Sequence, residues 1–199
     1  LGYSGHGLVV AEAALNLGWH LKSYGDKAEV LFNPFELNYI GDESRFSFKG
    51  WIEGMVFFLG IGDNAIRKKV STFIRAKGYE CETVIHSDSS VSEYSSIGKG
   101  VFVARNASIN TFCKIGNDVI VNTSASIDHE CIIGDCSHIA PGAVLAGNVT
   151  IGESAFIGAN AVIRQGVYIG NQAIVGAGAV VLKNINSGAM VVGNPAKNI

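Results

Sequence analysis

The sequence predicts an α/β domain in residues 1–84, followed by an all-β parallel β-helix of six-residue units in residues 85–199. Three observations carry this. Aliphatic residues recur at every sixth position from Ile85 to Val181, small residues keep the same register four positions later, and the first 84 residues show no such period.

In the first part, Gly2-Tyr3-Ser4-Gly5-His6-Gly7 leads into Leu8 to Trp19, whose apolar positions suit a helix. A short strand is expected around His20 to Tyr24, ending at Asp26, and the stretch from Phe32 to Phe48 is less regular. Met55 to Gly62 reads as a buried strand. Asn64 to Gly78 reads as an amphipathic helix capped by Asp63 or Asn64 and closed by Gly78. Strand and helix alternate, which predicts a small parallel α/β domain. The boundary falls near His86. The chain opens at Leu1 rather than at methionine, so a short N-terminal piece is expected to precede it.

In the second part the ladder begins Ile85, Val91, Ile97, Val103 and holds its register without insertion to Val181. Each unit is expected to hold a short strand and a bend, with three units to a triangular coil. The aliphatic side chain fills the interior. The small residue four positions on sits where walls converge and space is limited. Gly, Asn or Asp follow many of the aliphatics (Gly98, Asn110, Gly116, Asn122, Asp128, Gly134), where a bend favours permissive backbones. Nearly six coils would stand roughly 27 Å tall at the usual strand spacing.

Composition narrows the function. The formal net charge is −2 with no cluster of Lys or Arg, which argues against nucleic acid as a partner. No apolar run approaches the length of a membrane span, so no membrane insertion is expected. Four cysteines (Cys81, Cys113, Cys131, Cys136) form no CxxC pair and read as buried reduced thiols, consistent with a cytoplasmic protein. The histidines share no period that would converge three of them on zinc, so no metal is expected.

The glycine-rich turn before the first helix suits a phosphate, because bare backbone approaches closely and the helix N-terminus offers free N–H groups. Asp26 ends the next strand, where an acid can meet a ribose hydroxyl, and Gly62-Asp63-Asn64 ends a later strand on the same edge. In the β-helix, His129 stands out within Ser126-Ile127-Asp128-His129-Glu130. An imidazole titrating near neutrality can take a proton from an amine or hydroxyl, and Glu130 could orient it. Eighteen residues further, one coil above, lies Gly147, whose N–H could meet a developing oxyanion. His138, nine residues after His129, cannot share its wall within one subunit.

Gly2 to Gly7, the segment Ile127 to Ala143 and the run Val192 to Lys197 together resemble the bacterial PglD/NeuD family of sugar acetyltransferases. The resemblance implies an N-terminal Rossmann-like domain holding a nucleotide-activated amino sugar, a left-handed β-helix binding acetyl-CoA, and a homotrimer with active sites between subunits. It implies His129 as the general base with Glu130 beside it. Asn122 would line the same site, His138 would lie near the acetyl group or pantetheine arm, and the Gly147 backbone would contact the thioester carbonyl. In the N-terminal domain it assigns Gly2, Ser4, Gly5 and His6 to the phosphate-side turn, Asp26 to the nucleoside, and Asp63 and Asn64 to the sugar or nucleotide. Tyr3 and Lys27 depart from the family pattern. The expected reaction is transfer of acetyl from acetyl-CoA to the amine of a UDP-linked 4-amino-4,6-dideoxy sugar in a ternary complex. O-acetylation of sialic acid or another sugar hydroxyl is the rival within enzymes, and a non-catalytic β-helix scaffold is the rival outside them.

Overall fold

The computed structural model describes residues 1–199: a small α/β part followed by a left-handed parallel β-helix. The glycine-rich turn runs into α1 (His6–Asn16). Then come β1 (Ser23–Tyr24), β2 (Asn38–Tyr39), β3 (Val56–Phe57), α2 (Asn64–Ala76) and β4 (Glu80–Cys81). β1 pairs in parallel with β2, and β3 with β4. β2 lies inside the stretch read as irregular and β4 follows α2 unannounced. Both are two residues long, too short to display a period.

Local chemistry explains both helix starts. Gly5 precedes α1 with φ 34°, a conformation that glycine adopts without a β-carbon penalty. The Asp63 carboxylate caps α2 by accepting the Ile66 N–H at 2.8 Å, worth about 1 kcal/mol for such a cap. Gly7 has no room for a side chain, because a β-carbon there would strike the Gly2 carbonyl. The first turn of α1 therefore lies directly on the glycine-rich loop. A cavity of about 510 Å³ separates β1 from β3, lined in part by Val10, Tyr24, Met55 and Phe57.

From Val84–Ile85 to Val180–Val181 each hexad holds one two-residue strand. Each pairs in parallel with the strand one coil on, as Val84 pairs with Phe102 and Ile120 with His138. Three walls result. The first runs from Val84–Ile85 through Phe102–Val103, Ile120–Val121, His138–Ile139 and Phe156–Ile157 to Ile174–Val175. The second begins at Ser90–Val91 and the third at Ser96–Ile97. Every aliphatic of the ladder from Val103 to Val181 belongs to one buried cluster, and Ile85, Val91 and Ile97 pack against its lower end. Burying each Val or Ile is worth roughly 1.5–3 kcal/mol, so the ladder holds the prism together.

The bend differs from the sequence expectation. The left-handed residue is the third after each aliphatic, not the first: Asn106, Phe112, Asp118, Ser124 and Glu130 all have φ of 56–59°. Glycine directly after the aliphatic answers to crowding instead. A β-carbon on Gly98 would lie 2.6 Å from the Gly116 carbonyl oxygen of the next coil. Where Asn or Asp stands there, its side chain accepts the following N–H, as Asn110 does from Thr111 (3.2 Å) and Asn122 from Thr123 (2.8 Å).

The α/β part sits on the first wall. Val10, Ala13 and Ala14 of α1 pack against Val84, Phe102 and Ile120. On α2, Arg75 grips Asp118 with two bonds of 2.6 Å, and Lys68 pairs with Glu153. Arg67 is fully buried between the two parts. Its guanidinium donates to the carbonyls of Ile61, Gly62, Asp118, Cys136 and Ser137 and to Asn64 Oδ1, at 2.7–3.2 Å.

Candidate active site

His129 stands on the corner between the second and third walls, the edge of the prism opposite the wall that carries the α/β part. Glu130 occupies the left-handed position of this hexad (φ 59°), and its Oε2 lies 3.0 Å from His129 Nδ1. A carboxylate only accepts, so Nδ1 carries the proton and Nε2 presents its lone pair. Asp128 holds the backbone below: its Oδ1 accepts the His129 N–H at 2.8 Å and the Asn110 Nδ2 at 2.9 Å. These bonds, first that from His129, keep the Asp128 carboxyl below its ordinary range.

Gly147 lies directly above, as the period requires. Asn148 N–H donates to the His129 carbonyl at 2.8 Å. The imidazole occupies the space beside Gly147 where a side chain would stand, and a β-carbon there would collide with the ring. The Gly147 N–H donates to no group of the chain. An imidazole and a free backbone donor thus share one corner. The His129 side chain is 42% exposed, open to a substrate.

Asn122 and His138 are elsewhere in the same chain. His138 lies on the first wall, buried, with Nε2 at 3.0 Å from Asn122 Nδ2 and Nδ1 at 3.3 Å from the Gly62 carbonyl. Burial first, then the nearby Arg67 charge, push its pKa down to about 4, so it is neutral. His6 meets Phe102 edge-to-face (5.3 Å) and lies beside His138 (6.2 Å), and the same two causes bring it to about 4. Asn64 joins this junction by donating to the carbonyls of Ser154 (3.1 Å) and Ala155 (3.0 Å).

Of the remaining residues singled out, Ser4 and Gly5 are exposed at the start of α1, and Gly2 N–H bonds to the Gly25 carbonyl at 2.9 Å. Asp26 accepts the Tyr3 N–H (2.9 Å) and the Lys27 N–H (2.7 Å), which pins the glycine-rich turn to the end of β1. Asp63 is exposed at the head of α2 and borders an open cleft of about 800 Å³ with Asn64, Lys68, Lys69, Gln172 and Phe156. Tyr3 is buried against Tyr24, ring centroids 4.5 Å apart, within the core of the α/β part. Two features went unread in the sequence. Arg67 lies within the stretch read only as an amphipathic helix, yet it is fully buried. Tyr94 and Phe112 form an exposed aromatic pair, 6.0 Å apart, on the coils below Glu130. No group of His, Cys, Asp or Glu is arranged to hold a metal ion.

Residues 1–74 match the PglD N-terminal domain, and residues 112–147 and 148–183 match the bacterial transferase hexapeptide family. The acetyltransferase domain of PglB from Neisseria gonorrhoeae, in complex with acetyl coenzyme A, is 35% identical. That match covers 100% of this chain and 96% of the other, with a TM-score of 0.92. PerB from Caulobacter crescentus, in complex with CoA and GDP-perosamine, is 34% identical over 100% of this chain and 94% of the other, TM-score 0.92. WeeI from Acinetobacter baumannii is 28% identical over 100% and 97%, TM-score 0.90. The protein belongs to the PglD-like family of sugar acetyltransferases.

Proposed function

We propose that the protein transfers acetyl from acetyl-CoA to the amine of a nucleotide-linked 4-amino-4,6-dideoxy sugar. The observation that carries this is the pairing of His129, with Nδ1 bound to Glu130, and the unsatisfied Gly147 N–H beside its ring. The sugar amine attacks the thioester carbon. His129 Nε2 takes the proton released as the C–N bond forms, and Glu130 stabilises the imidazolium. The Gly147 N–H meets the oxyanion. Collapse expels the CoA thiolate, which takes the proton back from His129, leaving the amide and CoA. No nucleophilic side chain and no metal enters the scheme. The bound acetyl coenzyme A of the PglB domain and the GDP-perosamine of PerB support this pair of substrates over a sugar hydroxyl or a scaffold role.

The site is shared between subunits of a homotrimer. His129 stands on the edge opposite the wall that carries its own α/β part, so the nucleotide held there must be served by a neighbour's His129. Gly2, Ser4, Gly5 and His6 hold the phosphate side, Asp26 the nucleoside, and Asp63 and Asn64 the sugar. Asn122, backed by the buried His138 to which it bonds, faces the acetyl group at the neighbour's corner. The enzyme works in the cytoplasm in glycan assembly, a setting that its four free thiols suit.

The test is product formation: UDP- and GDP-linked 4-amino sugars are each incubated with acetyl-CoA, and thiol release and product mass are followed. An N-acetylated product with one of them, lost in His129→Gln, is the expected result. Transfer to free sialic acid alone, or no transfer to any acceptor, would overturn the reading.

A further inference from the structure

The three coils at the His129 corner repeat one device. At Asn110-Thr111, Asp128-His129 and Ala146-Gly147 the carbonyl of the first residue points inward, to a donor on the small-residue ladder. Ser95 Oγ donates to the Asn110 carbonyl at 2.6 Å, Cys113 Sγ to that of Asp128 at 3.0 Å, and Cys131 Sγ to that of Ala146 at 3.3 Å. A trans peptide is planar with its C=O and N–H opposed, so each inward carbonyl turns the next residue's N–H outward.

What happens to that outward N–H depends on the first residue of the pair. Asn110 Oδ1 accepts the Thr111 N–H at 3.2 Å, and Asp128 Oδ1 accepts the His129 N–H at 2.8 Å. Ala146 has no acceptor, and the Gly147 N–H is left without a partner. Cys131 itself is fully buried. The neighbouring Cys113 thiol first, and then burial, hold the Cys131 thiol above its ordinary range, so it stays an S–H donor.

We propose that Cys131 and Ala146 are positioning residues for acetyl transfer: Cys131 locks the Ala146–Gly147 peptide with its N–H outward, and Ala146 keeps that N–H free of a side-chain cap. The pre-set donor costs no reorganisation when the oxyanion forms. This rests on the reading of Gly147 as oxyanion donor.

The decisive variant is Ala146→Asn, which copies the Asn110 arrangement onto the next-but-one coil and caps the Gly147 N–H within the chain. Removing an oxyanion donor costs about 10²-fold or more, so kcat should fall by about 10²-fold while KM for acetyl-CoA stays within about threefold. Ala146→Leu adds the same bulk without an acceptor, as Leu182 does two coils further on, and its kcat should lie well above that of Ala146→Asn. Cys131→Val follows the small-residue ladder, where Val149 stands one coil above, and should lower kcat by about 3- to 10-fold with KM held. Cys131→Ser, which keeps a donor, should restore most of that loss. Equal losses for Asn and Leu at position 146, or Cys131→Val indistinguishable from Cys131→Ser, would overturn the proposal. His129→Gln is measured alongside. Full activity in that variant refutes the acetyl-transfer site as a whole, whereas its inactivity beside an active Ala146→Asn refutes the peptide device alone.

Discussion

Gly147→Ala probes the site without removing a functional group. The backbone at Gly147 is outside the left-handed region, so alanine fits its conformation, and a Gly→Ala change at such a place stabilises by about 0.4–1 kcal/mol. The new methyl, however, occupies the space of the His129 ring. The ring must swing away, which breaks its 3.0 Å bond to Glu130 and moves Nε2 from the acceptor. A misplaced general base forfeits about 10²- to 10⁴-fold in rate, roughly 3–5 kcal/mol of barrier. Thiol release from acetyl-CoA should therefore show kcat reduced by at least about 10²-fold, with the protein as resistant to urea as wild type. Adding His129→Ala to Gly147→Ala should cost little more, because both remove the same base. Wild-type kcat in Gly147→Ala, or additive losses in the double variant, would refute the stacked arrangement as the source of catalysis.

Arg67→Met leaves five carbonyls and Asn64 Oδ1 without their buried donor, and should destabilise the chain by at least about 3 kcal/mol in urea unfolding; a change below about 1 kcal/mol contradicts its role as the bond between the two parts. His6 and His138 are held near 4, so the folded chain keeps both neutral where the unfolded chain would bind protons. The stability they contribute is complete above about pH 6.5 and is lost as pH falls toward 4, up to about 3 kcal/mol each. Urea unfolding at stepped pH checks this, and stability that is flat or rises between pH 6.5 and 4 contradicts it. Light scattering should report a trimer at assay concentrations; a monomer with full activity would contradict the shared site.

The β-helix was legible because a solenoid imposes the same packing demand on every unit. Each hexad must offer one aliphatic to the prism and one small residue to the converging walls, so the constraint is written out at each step from Ile85 to Val181. The period also located Gly147 over His129, since positions 18 residues apart stack. The bend was misassigned because two demands select similar residues. The crowded position after the aliphatic and the left-handed position two residues later both often take Gly, Asn or Asp, and only backbone angles separate them. The junction was not legible. Arg67 stands beside Lys68 and Lys69 in an amphipathic helix, where a cation reads as solvated, and its partners Asp118, Cys136 and Ser137 lie 51 to 70 residues away. The bond from His138 to the Gly62 carbonyl spans 76 residues and leaves no periodic trace.

In the proposed trimer, His129 of one subunit serves a nucleotide sugar held by the next. A crystal structure of the assembly with CoA and the nucleotide-linked amino sugar tests it directly. The sugar amine should lie within hydrogen-bond distance of one subunit's His129 Nε2, with the diphosphate on the Gly2 to Gly7 turn of its neighbour. An amine remote from every His129, or a sugar and base both supplied by a single chain, would contradict it.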